Sequence, residues 1–399
     1  SQVFSFYLSS IFATANGIVI YVITRRVFKQ PVWSSVFASM SFCLGSIAWA
    51  YAVTLYQHHV TTFLILSGFY AVWKYRQKRK FSWIYAAYVW TSYALAVWVD
   101  YPNALLFLPV MVYLGISAIN VTESQISHRF SFRTSLLFTS IIFIVLSSVH
   151  CYYYQVNFGS WSKLSGGIID YKKIKEGKLL ETSGGELKIR EIEDKINPAK
   201  YFSEVDFPLG IYTLLISEDR GLLLYSPLFA LGVLGLVQYL KKTSLETAIL
   251  VTSMCTTVFL YSSWSDPWGG WAYGPRYMIP LLGVLSPFIA AWLSGTTHIT
   301  VKKILALLLF IYSSAIGLLG AITTIGVPKV LDARLINAHH NFLLNIDFLL
   351  KGKNSSFVYN NFLRNYMSLL DFYLHILIPI IVIVSMVLFV LPKITKNDD

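Results

Sequence analysis

The chain has 399 residues, of which 55% are hydrophobic, 16% aromatic and only 13% charged, with a formal net charge of +12 and a mean hydropathy of +0.58. A soluble domain carries roughly 25% charged residues, so this composition excludes an ordinary soluble globular protein. Apolar runs near 20 residues, the length an α-helix needs to cross about 30 Å of hydrocarbon, point instead to an all-α polytopic membrane protein.

About eleven spans are predicted, in chain order 3–24, 32–52, 54–73, 82–99, 103–119, 134–154, 222–240, 245–263, 277–294, 303–326 and 372–391. The chain enters the first span almost directly from Ser1, so one further span and external loop are expected before it. Basic residues then set the orientation. Arg25, Arg26 and Lys29, the cluster Lys74, Arg76, Lys78, Arg79 and Lys80, and the pairs Arg129/Arg133, Lys241/Lys242, Lys302/Lys303 and Lys393/Lys396 all fall on one side. These are half of the 32 basic residues, opposed only by Glu123, Glu246, Asp398 and Asp399. That face is expected to be cytoplasmic. The net charge is thus a topology signal, with anionic headgroups as its counter-charge, and gives no argument for nucleic acid.

The whole chain, 1–399, reads as a single transmembrane domain with two long external segments, 155–221 and 327–371. Within the first, the charged stretch from Asp170 to Lys200 reads as an exposed cover, folded as a small hairpin or a short helix. Cys43, Cys151 and Cys255 lie inside predicted spans without metal-like spacing and are expected to be buried free thiols. The triplet Asn354-Ser355-Ser356 is a glycan-acceptor pattern on the external side.

Polar residues at the ends of spans are the candidates for function. Four groups share the external side. Tyr56-Gln57-His58-His59 opens the third span and fits a proton-transfer or polar-substrate site, or equally a headgroup-facing pair; adjacent positions on a helix diverge by about 100° and make a poor two-ligand metal face. Asp100-Tyr101-Pro102 closes the fourth span, with Asp100 as a base or as the cap of the next helix. Asp219-Arg220-Gly221 stands at the entrance of the seventh span, where Arg220 is suited to a phosphate or to a pair with Asp219. The fourth is WSDPWGGWAYGPRY, Trp264–Tyr277, with Asp266, aromatic faces at Trp264, Trp268, Trp271 and Tyr273, and the cation Arg276. An aromatic belt explains any one of these tryptophans, but it needs neither the paired glycines nor the Gly-Pro-Arg turn. Charges gathered on one side suit an anionic lipid headgroup plus a polar second substrate, whereas a transporter places them at mid-span.

Five stretches carry a resemblance: YYYQVNFGS at 152–160, DRGLLLYSPLF at 219–229, WGGWAYGPRYMIP at 268–280, YQHH at 56–59 and DYPNALL at 100–106. They resemble motifs of integral membrane glycosyltransferases of the GT-C superfamily, in the branch of protein O-mannosyltransferases and lipid A aminoarabinose transferases. The resemblance runs from the first span to about Pro280; the remainder is generic. It implies transfer of a sugar from a polyprenyl-phosphate donor to a glycan, lipid or protein acceptor on the extracytoplasmic side of the cell membrane. The family's catalytic carboxylate lies on the first external loop, which would fall before Ser1, and Asp100 is the remaining external candidate.

On this reading Asp100 and His58 carry catalysis, and Arg220 and Arg276 hold the donor phosphate. Tyr56, His59, Asp219, Asp266, Trp268, Trp271 and Tyr273 line the substrates. No metal ligand and no cofactor is assigned, and a divalent metal stays compatible. Two other classes remain open at this stage: a lipid-carrier transporter or flippase, and a non-catalytic scaffold subunit that has kept the fold.

Overall fold

A computed structural model describes residues 2–77, 82–123, 128–132, 134–159, 161, 174–175, 178–183, 186–191, 202, 206–241, 244–294, 301–356 and 358–395. Lys78, Arg79, Lys80, Arg133, Lys242, Lys396, Asp398 and Asp399 of the charge pattern, Ser160 of the first motif, and much of the Asp170–Lys200 stretch lie outside the described residues.

The first half runs α1 (Gln2–Arg26), α2 (Val32–Cys43), α3 (Ala48–Ala52), α4 (His58–Gln77), α5 (Ser82–Val99), α6 (Asn103–Leu106) and α7 (Leu108–Ala118). A hairpin follows, β1 (Ile119–Glu123) against β2 (His128–Phe132), in antiparallel register with Val121 opposite Phe130. Then come α8 (Ser135–Phe158) and three short strands, β3 (Ile174–Lys175), β4 (Lys178–Ser183) and β5 (Glu186–Glu191), in the order β3-β4-β5. The second half holds α9 (Phe207–Leu215), α10 (Leu222–Tyr225), α11 (Phe229–Leu240), α12 (Leu245–Ser262), α13 (Ile279–Leu293) and α14 (Val301–Ile322). It closes with α15 (Val330–Leu335), α16 (Leu343–Leu350), α17 (Leu369–Ser385) and α18 (Leu391–Thr395).

The helical membrane architecture expected from composition is present, and the strands are confined to connections. Among the described residues, six helices are long and apolar enough to cross a membrane: Tyr7–Arg26, Ser135–Asn157, Leu245–Ser262, Arg276–Leu293, Val301–Ile322 and Leu369–Ile394. The other predicted spans are shorter, broken or more polar. The run 32–52 divides into α2 and α3 at Leu44–Ile47, 103–119 divides at Phe107, and 222–240 divides at Ser226–Leu228. At 20 and 18 residues α4 and α5 are long enough, but tyrosine, tryptophan and histidine dilute their apolar character. The segment 155–221 is not wholly a loop. The helix α8 continues to Phe158, β4 and β5 form the hairpin, and α9 packs on α12 with Asp206 capping it through the Leu209 amide at 3.0 Å.

The helix α13 is the centre of the bundle. In its candidate span 89% of residues are buried, against 6% for the span in α8. Its neighbours are α11, α2, α4 and α12. The approach of α11 is close enough that a Cβ at Gly235 would lie 1.9 Å from the Phe288 carbonyl oxygen, so only glycine fits there. A face apolar all round and packed on every side is what a core helix requires, whereas α8 and α17 present their apolar surface outward, as lipid-facing helices do. The cysteines are free, but Cys43 and Cys151 are only half-buried and Cys255 is exposed. The expectation of three buried thiols is thereby corrected: Cys255 lies on an outward face of α12.

Candidate functional site

The segment between α12 and α13 is shaped by its own polar atoms. Asp266 accepts the Gly270 amide on Oδ2 at 2.9 Å, and its carbonyl accepts the Gly269 amide at 3.1 Å, which closes a tight turn. Gly269 has φ of +70°, and a Cβ there would meet Arg276 Nε at 2.9 Å. Glycine therefore serves twice, for the left-handed conformation and for room beside the arginine. The Asp266 carboxylate is also paired with Lys329 Nζ at 2.8 Å, and that ammonium lies 5.9 Å from the centre of the Trp268 ring. Trp271 donates its indole N–H to Asp332 at 2.7 Å, and the Ala272 amide donates to the Val327 carbonyl at 3.0 Å. Residues 264–277 and 327–332 are thus laced together.

Arg276 begins the 3-10 turn Arg276–Met278 that leads into α13. Its guanidinium lies 5.0 Å from the centre of the Tyr56 ring and 5.3 Å from that of Tyr277. Tyr277 stacks on Tyr261 of α12 at 4.4 Å with the planes 2° apart. His58 is 2% exposed. It stacks parallel to Tyr56 at 6.0 Å and meets Tyr51 and Tyr277 edge-on at 6.2 and 5.9 Å. The result is one cation and one imidazole inside a cage of four tyrosines. Such rings favour the cation through their negative faces.

Asp100, at the junction of α5 and α6, stands near this cage. Its Oδ2 accepts from Gln57 Nε2 at 2.9 Å. Burial pushes its carboxyl above the usual 3.8, while the Gln57 bond, the Tyr101 amide and the charge of Arg276 pull the other way. Asp100 and Arg276 thus feel each other, yet among the described residues Arg276 forms no ion pair. The helix-cap reading of Asp100 is not borne out, since α6 has no side-chain cap and the carboxylate faces Gln57.

The structure brings together Tyr56, His58, Asp100 and Arg276, with Asp266, Trp268 and Trp271 along the same segment. It does not bring Arg220, Asp219, His59 and Tyr273 into that role. Arg220 is fully buried, and its Nη atoms donate to the carbonyls of Asp219 (3.0 Å), His340 (3.2 Å), Val327 (2.9 Å) and Pro328 (3.3 Å). The Nη ends of its fork go to backbone carbonyls and Nε has no partner among the described residues, an arrangement that serves packing rather than a phosphate ligand. Asp219, 3% exposed, accepts the Ser217 hydroxyl at 2.6 Å.

His59 bonds the Ala48 carbonyl through Nε2 at 2.8 Å, so that nitrogen carries the proton and ties α4 to α3. Tyr273 is fully buried and donates to the Ile316 carbonyl at 2.6 Å, while its backbone exchanges two bonds with the Tyr51 hydroxyl. Burial pushes the Tyr273 phenol well above its usual range. In this structure it is a core residue.

Sequence reasoning missed Tyr51, Tyr261, Lys329 and Asp332, whose sole signals were an aromatic near a span end and two charges in a loop remote in sequence. Among the described residues, no group of three His, Cys, Asp or Glu side chains is placed to hold a metal ion. No protein-family model matches the chain, and no curated protein or solved structure matches it significantly. Fold and site together define a multi-pass helical membrane protein with a caged cation near a half-buried carboxylate.

Proposed function

We propose that this protein is a membrane glycosyltransferase that moves a sugar from a polyprenyl-phosphate carrier to an acceptor at the extracytoplasmic surface. The observation that carries the reading is Arg276, a cation that forms no ion pair among the described residues and is held by aromatic rings close to Asp100. A partly desolvated guanidinium that is held by tyrosines and has no ion pair among the described residues is suited to receive an anion, and a phosphate matches its planar fork.

In this reading Arg276 binds the carrier phosphate and stabilises the charge that grows on it as the bond to the anomeric carbon breaks. The acceptor hydroxyl forms the new bond to that carbon, its proton passes to Asp100, and the bonding electron pair leaves with the phosphate. Gln57 orients Asp100, and burial makes the carboxylate a stronger base than a solvated one. His58 and Tyr56 flank Arg276, while Trp268 and Trp271 offer faces on which a sugar stacks. Asp266 acts through Lys329 and the turn, as a positioning residue. The short motifs at 56–59, 100–106 and 268–280, which resemble those of GT-C glycosyltransferases, support the same reaction.

The test is transfer of radiolabelled sugar from polyprenyl-phosphate donors by the purified protein in lipid nanodiscs. Arg276→Gln is expected to lower transfer by about a hundredfold or more, the usual loss for one donor to a developing oxyanion, while thermal unfolding stays unchanged. Undiminished transfer in that variant, or none by the wild type across a panel of such donors, overturns the reading.

A further inference from the structure

A second basic site lies away from the tyrosine cage. A cleft of about 650 Å³ opens between the end of α14 and the start of α17; its wall includes Thr323, Lys353, Asn354, Asn360, Arg364 and Leu369. That volume is in the range of small-molecule sites. Among the described residues, its lining holds two cations and no carboxylate. The acids closest in sequence are engaged elsewhere: Asp347 faces His339 at 3.5 Å, and Asp371 accepts the Ser368 hydroxyl at 2.6 Å. Among the described residues neither Lys353 nor Arg364 forms an ion pair. Lys353 lies 5.3 Å from the centre of the Phe348 ring, a contact that leaves its three N–H donors available.

The walls are anchored to the bundle. The Ser355 amide donates to the Ile322 carbonyl at the end of α14 at 2.8 Å, and the Arg364 amide donates to the Tyr359 carbonyl at 2.8 Å. Tyr359 is 8% exposed, donates to the Met367 carbonyl at 3.3 Å and packs on Phe372 of α17 at 5.4 Å, which holds the π-helical turn Tyr359–Leu363 against that helix. Below Thr323, Asn345 is fully buried, donates to Thr323 Oγ1 at 2.7 Å and leaves its own Oδ1 without a protein partner.

The setting decides what the cleft takes. Both bordering helices are candidate spans, and the cleft lies at the end of α14 remote from Lys302 and Lys303. It therefore sits at a membrane boundary. Leu350, Phe362 and Leu370, exposed by 80%, 61% and 68%, flank it in sequence and offer contact to acyl chains. A guanidinium fork and an ammonium, ringed by amide and hydroxyl groups and bordered by apolar surface, match a phosphate group carried on a lipid.

We propose that Lys353 and Arg364 bind the phosphate headgroup of an anionic membrane lipid in this cleft. None of these residues belongs to the Arg276 site, so the proposal stands apart from the transfer reaction.

The experiment titrates the full-length protein in neutral detergent with three probes: short-chain phosphatidic acid, the matching diacylglycerol and inorganic phosphate. Phosphatidic acid is expected to bind at least tenfold more tightly than either of the others. K353Q/R364Q is expected to lose that preference without change in thermal unfolding, and R364K to recover part of it. Equal binding of phosphatidic acid by wild type and double variant overturns the site, as does equal binding of diacylglycerol. Inorganic phosphate binding as tightly as the lipid, and lost in the double variant, supports the phosphate contact and overturns the lipid as its source.

Discussion

Replacing Arg220 with methionine removes four hydrogen bonds to backbone carbonyls while keeping most of the side-chain volume. The bonds to Asp219 and Val327, at 3.0 and 2.9 Å, are the short ones; those to His340 and Pro328 are 3.2 and 3.3 Å. Val327 keeps a second donor, the Ala272 amide, so the loss falls mainly on Asp219, Pro328 and His340. A carbonyl left buried and unpaired costs about 1–3 kcal/mol. Relief of the buried charge offsets part of this, and about 3 kcal/mol remains as the net expectation. The effect is local, because the lost bonds tie residues 327–341 to the bundle. About 3 kcal/mol corresponds to roughly a hundredfold in the opening equilibrium of that segment. Hydrogen–deuterium exchange in nanodiscs reads it directly: peptides covering 327–341 should exchange about a hundredfold faster, while peptides from α13 stay protected. Unchanged protection of 327–341, combined with loss of phosphate-dependent transfer, would refute the structural role and return Arg220 to the phosphate.

Further outcomes are expected. Asp100→Asn should abolish transfer without loss of fold. In the wild type the acidic limb of the pH–rate profile should lie above the usual carboxylate value, because burial raises Asp100; a limb at or below 3.8 contradicts the assignment. The same shift has the opposite sign for stability. The protonated form is favoured in the folded state, so its contribution is present at low pH and is lost as pH rises through the folded value. Urea titration at several pH values measures that trend against Asp100→Asn. Gly269→Ala should cost about 1–2 kcal/mol for the left-handed backbone alone, and should also displace Arg276; transfer should fall more than thermal stability does. Tyr51→Phe removes the bridge to both backbone atoms of Tyr273, worth about 1–2 kcal/mol for two ordinary hydrogen bonds, and should lower the unfolding midpoint without altering the pH profile.

Membrane class and the segment Trp264–Tyr277 were legible in the amino-acid order, because hydropathy and broken backbone are local properties. So was the convergence of Arg276, Asp100 and Tyr56-Gln57-His58, since each stands at a span end. Burial was not legible. Arg220 looked like a phosphate ligand, but its partners lie 107 to 120 residues further on, and nothing near it in the chain announces them. The buried settings of His59 and Tyr273 escaped for the same reason, since their partners, the Ala48 and Ile316 carbonyls, are set by packing. The broken spans escaped notice because hydropathy averages over a kink. At Gly45, where α2 ends, an added Cβ would meet Leu228 at 2.9 Å and Phe310 at 3.1 Å, so tertiary crowding fixes the break.

The packing of α13 contrasts with the lighter, polar ties of residues 327–341. Arg276 is the first residue of the turn leading into a helix held on every side, so its charge has no freedom to travel toward a substrate. If the proposed transfer reaction holds, a rearrangement that admits the lipid carrier is expected from the strap of residues 327–341, whose ties to Asp266, Trp271, Ala272 and Arg220 are hydrogen bonds and one ion pair that can be exchanged singly. Catalytic geometry would be kept by the helix, and access would be governed by the strap. Crosslinking the strap to the 264–272 segment should therefore slow entry of a bulky carrier far more than it slows chemistry on one already bound.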